Sequence, residues 1–238
     1  MKLFDLDSPL MQGLGKVADL LFLNILTLFC CIPIITVGAS LTALHYTALK
    51  MARNEECYIA RGFFKSFKQN FKQATLIWLL LLMVIVVLAV DFLIIGSSGV
   101  EFSIVIRGII TVFAVVVLFT SMYVFPMLAR FDNTILRTIK NAFLASIMQF
   151  PKTVLMIIFY ILPAVVLVFF YQIAPLAFFF ALSVPAFLSA KLYSNFFKKL
   201  EDQILAEAGP AEVEEEGEDE RIFRDELDES LLGEDSAN

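Results

Sequence analysis

Histidine and tryptophan each occur once, and cysteine three times, in 238 residues. Cys30 and Cys31 are neighbours inside an apolar run, and Cys57 stands apart. Adjacent cysteines do not make a structural disulfide with each other, and no zinc or iron–sulfur spacing exists, so the three read as small apolar filler. H-E-x-x-H, a nucleophile–base set, a phosphate loop and a haem motif are all missing. Catalysis inside a membrane would need a carboxylate or a Ser/His pair on facing helices, and no spacing offers one. An enzyme is therefore not expected, nor a cofactor, a metal or a nucleic-acid partner. A cleavable leader is not expected either: Asp5, Asp7 and Pro9 fall in the first 13 residues, and no A-x-A site follows the first apolar run. That run is expected to be a retained span.

What is present is apolar. Hydrophobic residues make up 59% of the chain, 25 of them Phe, and the mean hydropathy is +0.82. Soluble globular domains hold about 45–50% apolar residues, so the excess points to a polytopic membrane protein. The net charge of −6 conceals an asymmetry. Residues 1–200 carry 16 Lys/Arg against 8 Asp/Glu, and residues 201–238 carry 2 Arg against 16 Asp/Glu. The domain expectation follows: a basic membrane helix bundle over 1–200, then an acidic, largely disordered cytoplasmic tail over 201–238. The Glu-rich tail cannot bury enough apolar surface to offset its ordering entropy. Within it, Ile222, Phe223, Leu227, Leu231 and Leu232 form one short helical-period motif that could dock on a partner or fold back on the basic loops.

The first apolar region, Val17–Leu49, is too long for one straight span and is broken by Pro33 and Gly38. It predicts a helical hairpin, Leu14–Ile32 up and Thr36–Met51 down, with one long kinked helix as the alternative. Further spans are predicted at Ala74–Ile95, Ser103–Leu128, Thr153–Tyr171 and Pro175–Leu192. Lys50, Arg53, Arg61, Lys65, Lys68 and Lys72 precede one span, and Arg130, Arg137, Lys140 and Lys152 precede another, while the loops at Gly96–Phe102 and Gln172–Pro175 have no Lys or Arg. Positive loops stay inside. Both termini are then cytoplasmic.

Phe63, Phe64, Phe67 and Phe71 share one helical face, and Lys65, Lys68 and Lys72 share the next. That pattern suits a helix at the headgroups, rings in the acyl boundary and ammoniums on anionic phosphates. Lipid contacts are expected from Lys65, Lys68, Lys72, Phe64, Phe67 and Phe71, either as a plain topology anchor or as a surface for a cytoplasmic partner. An internal repeat accompanies this. Tyr46 and Arg53 recur 77 residues later as Tyr123 and Arg130, each ending a span. Phe67–Phe71 recurs as Ile139–Phe143. The unit is span, interfacial helix, span, and copies of the same sense imply a pseudo-two-fold axis along the membrane normal. The fold class expected is an all-α polytopic membrane bundle of about six spans, with two interfacial amphipathic helices and a tandem same-sense repeat.

Few polar groups lie within spans. Asp91 and Arg107 stand eight residues either side of Gly99, and an intramembrane ion pair between them is the economical arrangement. Asp19, Asn24, His45, Tyr46 and Tyr123 are candidates for a polar bundle interior. They would serve as interhelical hydrogen bonds or, with a water-filled path, Asn24, His45, Tyr46 and Tyr123 would line a transport route.

The string from Leu23 to Leu82, with P-x-x-T-x-G-A-S at Pro33–Ser40 and F-x-x-S-F-K-x-N-F-K-Q-A-T at Phe63–Thr75, resembles the YesL family of bacterial membrane proteins. The later YVFPMLARFDNTILRTIKNAF adds to it, and the similarity covers roughly residues 5–200. His45 stands where an aromatic is expected, and the acidic tail lies outside the shared core. The family has no assigned biochemical function and no catalytic residue to carry over. Its genes tend to lie beside those for carbohydrate uptake and plant-polysaccharide breakdown. The resemblance implies an accessory role in carbohydrate uptake in a bacterial cytoplasmic membrane, with lipids and a sugar permease complex as partners. A small sugar transporter between the repeats and a lipid-binding scaffold are the alternatives.

Overall fold

The computed structural model describes residues 9–55, 58–97, 103–169, 172 and 178–208. Cys57, the Ser98–Phe102 connection and the acidic tail beyond Ala208 lie outside the described residues. Within them the chain is all-α: α1 (Pro9–Cys30), α2 (Val37–Arg53), α3 (Ile59–Ser97), α4 (Ile104–Arg130), α5 (Ile135–Met148), α6 (Phe150–Phe169) and α7 (Ser183–Ala208), with one 3-10 turn at Ile34–Thr36. Four of these helices, α1, α3, α4 and α6, are long and apolar enough to cross a membrane. The chain divides into two units, Met1–Ser194 and Asn195–Asn238, the boundary falling inside α7.

α2 is the hub of the first unit. Gly38, Ala39, Ser40, Ala43, Thr47 and Ala48 are all buried on it, and small residues let helix backbones approach closely. It packs along α3 and also touches α1 and α4. Asn54 ends α2 in the left-handed region, at φ 55°, as Asn does at a helix C-terminus. Its side chain takes a hydrogen bond from Lys16 at 2.9 Å, which pins the start of α1 to the end of α2.

The six-span expectation placed the tip of the first hairpin level with the outer end of the third span. The tip sits elsewhere. The Trp78 indole N–H donates to the Ile34 carbonyl at 2.8 Å, and Gly38 lies against the backbone of Ala74. The Pro33–Thr36 turn is thus level with the middle of α3, and Leu79–Ser97, about 28 Å of helix, extends beyond it. α2 has only 17 residues and runs beside the basic half of α3.

The two amphipathic segments also differ from expectation in direction. Nothing interrupts Ile59–Ser97, so Gly62–Lys72 is the first half of one 39-residue helix rather than a helix lying flat. Phe63 is fully buried, and Phe63, Phe67 and Phe71 form a ring ladder with centroids 6.2 and 5.5 Å apart. α5 turns back along α4, bringing Phe150 against Phe119 with ring centroids 5.6 Å apart. The copies diverge because Pro151 occupies the position of Leu79. A proline there cannot donate its amide to the preceding turn, so α5 ends at Met148 and α6 starts anew, whereas α3 continues.

Burial is uneven. On α3 the buried apolar residues are Phe63, Ala74, Ile77, Leu81 and Leu88; on α4 burial begins at Thr120. Past these points both helices present apolar side chains almost all round. Leu93 is 68% exposed and Ile104 85%. A surface of that texture is dissolved by acyl chains rather than by water.

Candidate functional site

The polar groups of the interior meet in two clusters. The first joins α1 to α7. Fully buried Asn24 accepts from the backbone N–H groups of Leu182 and Ser183 at 2.9 and 3.1 Å, and its amide donates to the Phe178 carbonyl at 3.1 Å. A helix leaves its first N–H groups without intrahelical partners, and Asn24 caps α7 from another helix. This corrects the sixth predicted span: α7 begins at Ser183, after a turn at Phe178–Leu182 that Asn24 holds, and runs past Leu192 to Ala208.

The second cluster centres on His45. Its Nδ1 lies 3.2 Å from the Tyr193 hydroxyl and its Nε2 3.1 Å from the Tyr160 hydroxyl. A neutral imidazole donates at one nitrogen and accepts at the other, so both are used. Tyr123 is also fully buried, with its ring 6.5 Å from that of Tyr193 and its hydroxyl beside Thr153 but without a hydrogen bond among the described residues. Arg53 ends α2 below this cluster. Its Nε donates to Ser194 Oγ at 3.3 Å and a terminal nitrogen donates to the Ser194 carbonyl at 3.4 Å, with Glu55 at 3.8 Å on the other side.

Sequence reasoning named Asn24, His45, Tyr123 and Arg53 but missed Tyr160, Tyr193, Thr153 and Ser194. A signal was present. The chain uses Phe 25 times and Tyr 6 times, so a tyrosine inside an apolar helix marks a hydroxyl worth pairing, as those of Tyr160 and Tyr193 are paired with His45.

Other expected residues lie elsewhere. Tyr46 is not in the interior; it is half-buried with the Lys50 ammonium 5.3 Å above its ring. The reason is helical: one residue on from His45, it is turned about 100° off the buried face. Asp19 is exposed on α1 and does not join the polar cluster. The repeat-marking Arg130 is exposed, unlike Arg53. Phe64 and Lys68 are exposed, while Phe67 and Phe71 are half-buried in the ring ladder.

Asp91 and Arg107 form no ion pair. Equal spacing about Gly99 did not give equal depth, because α3 runs six residues past Asp91 while Arg107 follows the start of α4 by only three. Arg107 therefore sits about 4.5 Å nearer the helix ends. Asp91 instead lines a cavity of about 260 Å³ with Leu88, Ile110 and Phe113. Asp91→Asn and Arg107→Gln should consequently act independently: in detergent melts, the double variant should equal the sum of the singles to within about 0.5 kcal/mol. A coupling well above that would mean the two side chains meet.

A groove of different character lies between α3 and the turn joining α4 to α5. It has a volume of about 770 Å³ and carries both Lys72 and Arg137. The Gln73 side-chain amide donates to the Asn133 carbonyl and ties the turn to α3.

Among the described residues no group of three His, Cys, Asp or Glu could hold a metal ion. No curated protein and no solved structure matches the chain. Residues 20–92, from α1 through α2 to Phe92 on α3, are similar to the family described as "Protein of unknown function, DUF624".

Proposed function

We propose that the protein is a non-catalytic accessory component of carbohydrate uptake, embedded in a bacterial cytoplasmic membrane with both termini inside and acting on a sugar permease complex through its basic face. One observation carries the accessory part. His45 and Asn24 are saturated by protein groups: both nitrogens of His45 face tyrosine hydroxyls, and both ends of the Asn24 amide hold the turn before α7. A transport path would need such groups turned toward water and substrate, and of the four residues that could have lined it, Tyr46 has left the interior. The basic half of α3 supports an inward-facing docking surface, since cationic segments remain on the cytoplasmic side. The carbohydrate part is supported by the resemblance of Pro33–Ser40 and Phe63–Thr75 to the YesL family.

Purification of the tagged full chain in a mild detergent, followed by mass spectrometry, tests the reading. A sugar permease subunit should co-purify in amounts comparable to the bait. Vesicles containing this chain alone should take up no sugar. Sugar flux into such vesicles, with no permease recovered, would overturn the proposal in favour of a transporter.

A further inference from the structure

The groove at Lys72 and Arg137 has the chemistry of a lipid site. Its cations are unsatisfied: neither Lys72 nor Arg137 makes an ion pair among the described residues. Asp132 lines the same groove, so two cations and one carboxylate leave a single positive charge, the complement of one phosphodiester. The groove is also two-faced. Leu76 is 56% exposed and Leu136 79% exposed, and both line it beside the cations. A free phosphate or a sugar phosphate would use only the cationic side. A glycerophospholipid uses both, with its phosphate on the basic side chains and its chains along the leucines. Depth agrees: Lys72 is the last cation of α3 before the apolar run that opens at Ala74, where headgroups meet acyl chains. The bond from Gln73 to Asn133 fixes the turn against α3, so both cations are carried by a braced frame rather than by a free loop.

We infer that this groove binds the phosphodiester of an anionic glycerophospholipid of the adjoining leaflet, of the phosphatidylglycerol class, between Lys72 and Arg137. The site does not depend on the accessory role proposed above. A lipid held there would brace the α4–α5 turn against α3.

Native mass spectrometry of the purified full chain, offered equal amounts of phosphatidylglycerol and phosphatidylcholine, reads the site directly. Wild type should retain the anionic lipid preferentially. Lys72→Gln combined with Arg137→Gln should abolish the preference, a loss of roughly tenfold or more for two headgroup cations. All four side chains involved in the test and its control are exposed, so the variants should fold. Lys198→Gln combined with Lys199→Gln removes the same charge from side chains that do not line the groove and should leave the preference intact. An excess of inorganic phosphate should not displace the lipid. Three results would each overturn the inference: an undiminished preference in the groove variant, an equal loss in the charge-matched control, or displacement by inorganic phosphate, which would make this a soluble-anion site.

Discussion

Gly38→Ala should cost about 3 kcal/mol, more than most single methyl additions, because the new atom has nowhere to go. A Cβ at Gly38 would meet the Ala74 carbonyl oxygen and stand 2.6 Å from the Trp78 Cβ. Those atoms belong to the backbone and the first side-chain carbon of α3, so neither can rotate aside. α2 must withdraw from α3, and α2 is the helix on which α1, α3 and α4 all pack. The chain supplies its own reporter. Trp78 is the sole tryptophan, and its indole is hydrogen-bonded to Ile34 at 2.8 Å. Gly38→Ala should lower the detergent melting temperature and shift the Trp78 emission as that bond is lost. Gly96→Ala, with nothing within 4 Å of the added Cβ, should leave both unchanged. Wild-type melting and emission in Gly38→Ala would show that the helices are not in contact at this point.

Asn24→Leu should be the next most damaging. It keeps the volume and the burial but strips the acceptor from two backbone N–H groups and the donor from one carbonyl. Interhelical hydrogen bonds in membranes are modest, averaging about 0.6 kcal/mol. Here, however, the two orphaned N–H groups sit where the turn meets the first residue of α7 and have no helical carbonyl to bond, while the Phe178 carbonyl keeps the Ala181 N–H, and a buried unsatisfied group costs about 1–3 kcal/mol. A net loss of about 2 kcal/mol is expected, with faster amide exchange at Leu182 and Ser183. Thr27→Val on the same helix is the control. Its hydroxyl bonds only the Leu23 carbonyl one turn back, at 2.7 Å, and its removal should cost well under half as much. Equal losses from the two would mean that Asn24 does not cap α7.

The all-helical membrane class and the break at Pro33–Gly38 were both legible in the sequence, because each rests on local properties: composition and a helix breaker. Depth was not. The expected heights of the first hairpin and of the Asp91–Arg107 pair assumed that every apolar run crosses the same slab, and that a loop's midpoint is its axis of symmetry. The height of the first turn is set by one Trp78 hydrogen bond and by the fit of Gly38 on Ala74. Neither has a periodicity. The repeat misled for a related reason. Tyr46 and Tyr123 align in sequence, yet one is covered by Lys50 and the other is buried beside Tyr193. His45 and Asn24 were recognisable as interior groups, but their partners were hidden among residues whose ordinary role in such a chain is to be greasy.

Among the described residues, the distal parts of α3 and α4, beyond Leu88 and before Thr120, bury no side chain. Selection there can act on bulk oiliness alone, whereas around Gly38 it must act on shape. Descendants of this gene should therefore diverge fastest in the stretch that looks most strictly specified by its hydropathy, trading leucine for valine or phenylalanine without penalty. The modest-looking string of small residues in α2 should hardly change.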